Sequence, residues 1–201
     1  LDAWLTHLRQ ELDAYRATEP ALPLAPFGVN LIVHSTNPRA AVDLEMIVRH
    51  RVPFVVTSVG KPAEAVQAVQ AYGGLVFHDV TTVNYAHKAI ECGVDGLILV
   101  CAGAGGHAGT LSPFAFVAEV REFWPGPLAL AGAISTGHAI RAARMLGADF
   151  AYLGTRFLAT AEANAAEAHK RMLVEHTAAD IVYSAALTGV AGNFLRPSIV
   201  A

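Results

Sequence analysis

Apolar residues along the chain fall into two alternating patterns. Over residues 2–17, Leu5, Leu8, Leu12 and Tyr15 recur three and four apart with charges between them, which predicts an amphipathic helix closed by Pro20, Pro23 and Pro26. Runs that are apolar almost throughout then occur at 27–33, 54–59, 75–80, 97–100, 128–134 and 150–153, each short enough for a buried strand. Between them lie helix signals. Asn37-Pro38 supplies a cap and first-turn proline for a helix through His50, and Gly60-Lys61-Pro62 turns into a helix over 63–72 that Gly73 caps. A helix over about 83–92 precedes Gly93, and Ser112-Pro113 starts one that stops at Trp124-Pro125. Ser135-Thr136-Gly137 opens a helix through Leu146 closed by Gly147, and Thr160 caps a long helix reaching about Glu175.

Strand starts recur at intervals of roughly 21 to 31 residues, the spacing of successive βα units, and six units are visible. A doubly wound sheet and a (β/α)₈ TIM barrel both satisfy this α/β grammar. The barrel is favoured because glycine-rich and polar residues follow strand after strand at one end, where barrels build a shared site. Eight units are needed, so two are missing, and they are expected to precede Leu1, an odd first residue for a native chain. Residues 1–201 then form a single partial barrel domain, with 178–201, including 185–189, as an extension of unassigned structure near the site.

Composition narrows the partners. A formal net charge of −3, pI near 6.3 and Lys and Arg scattered singly leave no footprint for nucleic acid or an anionic membrane. Hydrophobic residues reach 54%, yet no uninterrupted apolar segment spans a bilayer. Cys92 and Cys101 are too few for a disulfide framework and read as small buried hydrophobes in a reducing cytoplasm. Nine histidines show no metal-ligand spacing, and no structural metal is expected.

The chemistry concentrates in the loop after 97–100. Gly103, Gly105, Gly106 and Gly109 suit a loop moulded around something flat or anionic, and His107 is its one ionisable side chain. An imidazole titrates near neutral pH, which suits a general base; the bland alternative is a flexible turn. Gly132-Ala133 and Tyr152-Leu153-Gly154-Thr155 end two adjacent late strands, the recurrent phosphate site of barrels, though Ser135 or Thr136 as a simple cap and Gly154 as relief of crowding explain them too. Neither loop is Walker-like. Asn30 and Asp79 lie near strand ends facing the same opening, as hydrogen-bonding groups for a heterocycle or for local backbone. His78 is a weaker candidate, and Arg156 is a solvated charge or a phosphate partner.

Ala104-Gly105-Gly106-His107-Ala108-Gly109, followed by Ala131-Gly132-Ala133-Ile134 and Gly154-Thr155-Arg156-Phe157-Leu158-Ala159-Thr160, closely resembles the nitronate monooxygenase (2-nitropropane dioxygenase) family, from about Phe27 to Glu162. Gly28-Val29-Asn30-Leu31 and His78-Asp79-Val80 fit its pattern. The resemblance implies an FMN-binding TIM barrel that oxidises alkyl nitronates or nitroalkanes with O₂ to a carbonyl compound and nitrite. It places His107 beside the flavin, acting on the substrate's α-carbon proton, and the phosphate on the backbone around Gly132-Ala133 and Gly154-Thr155. Asn30, Asp79, Gly105, Gly106 and Tyr152 complete the expected flavin site. The chain departs from the family at Ala133, where a second glycine is usual. The competing reading is an FMN-dependent enoyl-acyl-carrier-protein reductase using NAD(P)H, and a third is a flavin-binding protein without turnover. A homodimer is left open.

Overall fold

A computed structural model describes residues 1–187 and 189–200, the side chain of Val200 excepted; Thr188, within the 185–189 segment, and Ala201 lie outside the described residues. Two compact units divide the chain, Leu1–Asp79 with His87–Gly96 and Val80–Ala86 with Leu97–Ala201.

In the first unit, α1 (Asp2–Thr18) precedes β1 (Gly28–Ile32), α2 (Ala40–Arg49), β2 (Phe54–Ser58), α3 (Ala63–Gln70) and β3 (Leu75–Val80). The strands pair in parallel, β1 with β2 and β2 with β3. Their apolar character follows from burial: Val52, Val55, Val69 and Val76 are fully enclosed, and Leu5 anchors α1. Phe54 and Phe77 meet edge to face with centroids 5.0 Å apart. Gly28 and Gly96 make room for those rings, since a Cβ there would lie 2.6 Å from Phe54 and 2.4 Å from Phe77. The helix predicted from Asn37-Pro38 begins at Ala40 instead. Asn37 spends its side chain on a turn, donating to the Ile32 carbonyl and accepting from the Arg39 amide, so the chain turns before it coils.

α4 (Val83–Glu91) follows in the chain. The second unit carries β4 (Gly96–Val100), β5 (Gly106–His107), α5 (Pro113–Arg121), β6 (Leu128–Ala131), α6 (Gly137–Met145), β7 (Phe150–Tyr152), α7 (Thr155–Leu158), α8 (Glu167–Glu175), a 3₁₀ turn (Ala178–Asp180), β8 (Ile181–Ser184), β9 (Gly192–Leu195) and α9 (Pro197–Val200). β4, β6 and β7 pair in parallel, and Leu97, Leu99 and Leu128 of these strands are fully buried, as are Phe116 and Val117 of α5. Each of the six predicted strands is followed by a helix, as the βα reading requires.

Three expectations fail in this unit. The strand from Leu128 ends at Ala131 rather than Ile134, because Gly132 (φ 145°) and Ala133 (φ 52°) turn into left-handed backbone that no strand accepts. Thr160 does not cap a long helix; its hydroxyl donates back to the Phe157 carbonyl at the end of α7, and the next helix waits until Glu167. The loop of His107 contains a short strand, β5, paired antiparallel with β9 of the tail that the sequence left unassigned.

Candidate active site

The loop following β4 is closed at its base by two backbone bonds, Ala102 N–H to the Leu111 carbonyl (2.9 Å) and Gly109 N–H to the Val100 carbonyl (3.3 Å). Gly109 is obligatory there, since a Cβ would stand 2.6 Å from the Val100 oxygen. Cys101 is fully buried at the loop's start, and burial pushes its thiol up to about 12, so it stays protonated and serves as packing. His107 projects from the exposed part of the loop.

Two further strand ends reach this loop. Ala133 N–H donates to the Gly103 carbonyl at 3.0 Å, and a Cβ on Gly105 would lie 2.9 Å from Thr155 Oγ1. Gly132 passes so close to the start of this loop that a Cβ would meet the Ala102 oxygen at 2.9 Å. Gly105, Gly106, His107, Gly132, Ala133, Gly154 and Thr155 are thereby gathered at the ends of β4, β6 and β7. Tyr152 ends β7 with its ring half exposed.

The glycines here answer to different causes. Among the described residues nothing beyond its chain neighbours lies within 4 Å of where a Cβ on Gly154 (φ −113°) would stand, so it relieves no crowding there and leaves open space at the start of α7. Gly137, opening α6, is equally unobstructed, and Thr136 caps that helix by accepting from the Ala139 amide at 3.2 Å. Ala133 holds a left-handed conformation that glycine would adopt without strain, and its N–H is already engaged by Gly103.

Asn30 and Asp79 belong to the first unit. Asn30 Oδ1 accepts from Ser58 Oγ at 2.8 Å, a partner sequence reasoning missed although the parallel register sets the ends of β1 and β2 side by side. Asp79 is half-buried near the end of β3. His78 beside it is buried against Thr57 Oγ1 at 2.8 Å, and burial pulls its value down to about 4, so it is neutral and inward-facing.

Among the described residues no group of three or more His, Cys, Asp or Glu side chains is arranged to hold a metal ion, and no helix is long and apolar enough to cross a membrane.

Comparison with known proteins agrees with the residues. The family described as Nitronate monooxygenase matches residues 28–199. A nitronate monooxygenase of Pseudomonas aeruginosa is 29% identical over 197 residues, covering 93% of this chain and 54% of its own length. Among solved structures, FabK from Thermotoga maritima matches with TM-score 0.80 at 28% identity over 96% of this chain and 60% of its own. A nitroalkane oxidase from Streptomyces ansochromogenes matches with TM-score 0.77 at 27% identity, over 95% and 66%. These are TIM barrels, the class the six βα units point to. The chain spans about half the length of the curated relatives it matches.

Proposed function

The chain belongs to the nitronate monooxygenase family, and from that premise we propose that the protein oxidises an alkyl nitronate or nitroalkane with O₂, using bound FMN and His107 as the base. The observation that carries the reading is the convergence in one unit of an exposed imidazole and two glycine-opened strand ends, tied together by the Ala133–Gly103 bond. The nitroalkane oxidase match supports a nitro compound as the substrate class.

The residues fit a flavin mononucleotide. Open space at Gly154 and Gly137, each at the start of a helix, leaves backbone free of side-chain obstruction for a phosphate. A phosphate at Ala133 would have to compete with the Gly103 carbonyl for the same N–H, so Gly154-Thr155 is assigned the larger share of the binding. When bound, FMN supplies the oxidation of the nitronate and the passage of electrons to O₂. His107 accepts the carbon-bound proton of a neutral nitroalkane, made acidic by the adjacent nitro group. Two free cysteines, one of them fully buried, suit a reducing, cytoplasmic setting.

An enoyl reductase using NAD(P)H is the second reading, favoured by the fold match to FabK being as good as that to the nitroalkane oxidase. The test is a visible spectrum of the purified full-length protein followed by anaerobic additions. A yellow protein releasing FMN, bleached by a nitronate alone, is the expected result. Bleaching by NADH but not by nitronate would favour the reductase, and a colourless protein that takes up no FMN would contradict both.

A further inference from the structure

The tail after α8 folds onto the histidine loop. β9 pairs antiparallel with β5, setting Gly106 against Asn193 and His107 against Gly192, and β8 backs β9 from the other side. Two side chains of this hairpin hold backbone carbonyls on either side of His107: Asn193 Nδ2 donates to the Ala104 carbonyl at 2.8 Å, and Tyr183 OH donates to the Ala108 carbonyl at 3.2 Å. The seam tolerates no side chain at its centre. A Cβ on Gly192 would lie 2.5 Å from the Gly106 oxygen and 3.0 Å from the His107 nitrogen, so the glycine is there for close approach.

We propose that the β8–β9 hairpin is a clamp that fixes the orientation of His107, with Asn193 and Tyr183 as positioning residues and Gly192 as the contact that lets the clamp close. This rests on His107 being the base. A loop with four glycines has many backbone states, and a proton-abstracting imidazole needs one of them. A two-residue strand cannot select that state alone; the side-chain bonds to Ala104 and Ala108 fix the loop on both flanks.

The test uses the full-length, FMN-loaded enzyme and the variants Asn193→Ala, Asn193→Asp, which keeps the shape but loses the donor, and Tyr183→Phe. Amide hydrogen exchange over residues 104–109 should quicken by about tenfold in both Asn193 variants, because the local opening they permit is what exchange reports. Turnover of a neutral nitroalkane should fall about tenfold in kcat with KM little changed, while oxidation of a preformed nitronate, which needs no base, changes by less than about twofold. Tyr183→Phe should show the same split more weakly. Unchanged exchange, or Asn193→Asp behaving as wild type, would overturn the clamp whatever His107 does. Faster exchange with equal losses on both substrates would overturn the positioning role. Failure of the base assignment itself shows separately, as a His107→Ala variant that does not discriminate between the two substrates.

Discussion

Asp95 and Asp149, one in each unit, fasten the starts of β3 and β6, whereas the ends of β2 and β6 open into left-handed turns. Asp95 donates its N–H to the Val76 carbonyl (2.8 Å) and accepts the Val76 N–H on Oδ2 (2.7 Å), with Gln70 Nε2 on the same oxygen at 3.1 Å. Asp149 repeats this with Leu128, at 2.8 and 2.9 Å, and Arg121 takes the place of Gln70 at 2.7 Å. Arg121 also donates to the carbonyls of Gly147, Trp124 and Gly126. At the other end, Val59 (φ 53°), Gly132 and Ala133 leave regular backbone immediately after β2 and β6. Side-chain bonds fasten strand starts in each unit, while these strand ends leave regular backbone.

The strand ends differ between units too, in their histidines: His107 is exposed and His78 is sealed against Thr57. The largest effect expected from breaking this comparison is chemical. His107→Ala should lose on the order of 10² to 10⁴ in turnover of a neutral nitroalkane, with FMN retained and nitronate oxidation much less affected. Steady-state kinetics on both substrates checks it; equal losses would make His107 a binding group.

Next comes His78. Its folded value, about 4, lies below the unfolded value near 6.5, so its neutral form contributes stability that is present above pH 6.5 and lost as pH falls to about 4. Unfolding of the apoprotein should show a loss of about 3 kcal/mol across that window. His78→Asn should be less stable at pH 7 but flat between these values.

The clasps should rank by charge. Asp149→Ala strands the Leu128 N–H and deprives Arg121 of its carboxylate, at a cost of about 2 kcal/mol, while Asp95→Ala, backed by a neutral amide, should cost about 1 kcal/mol. Burial opposes ionisation of Asp149, but the Arg121 hydrogen bond, the Leu128 N–H and the guanidinium charge together hold it below the usual carboxylate range. Its contribution is therefore present above about pH 4 and fades as pH falls below that, a lower window than that of His78. Denaturant titrations at pH 7, pH 4 and pH 3 separate the two, the His78 loss falling between the first pair and the Asp149 loss between the second. The smallest effect is a gain: Ala133→Gly removes left-handed strain and should stabilise by up to about 1 kcal/mol, less the entropy glycine adds to the unfolded chain.

β2, β3, β4 and β6 were legible because burial on both faces writes itself as apolar runs, whereas β1 and β7 are apolar in sequence but largely exposed; Pro113 and Thr136 mark helix starts chemically. β5 and β9 were not legible. A two-residue strand has no periodicity, and its partner lies 85 or more residues away in a tail without an apolar stripe. The break between α7 and α8 was hidden by alanine-rich composition over 161–166, where helix propensity is a weak prior and no apolar stripe holds a helix down. The loops of His107, Gly132 and Gly154 stood out by composition, while Asn193, Tyr183 and Ser58 did not, because their role is set by neighbours distant in sequence.

The division of labour between strand starts and strand ends can be measured in one crossed experiment on the full-length protein. Gly154→Val and Asp149→Ala are each assayed for FMN affinity and, free of flavin, for Tm. Gly154→Val should weaken FMN binding by tenfold or more with Tm unchanged, since no described residue beyond its chain neighbours lies within 4 Å of where its Cβ would stand. Asp149→Ala should lower Tm by several degrees, with FMN affinity intact in the folded protein. Gly154→Val binding FMN as wild type does, or losing as much Tm as Asp149→Ala, would contradict the assignment of the phosphate to this strand end.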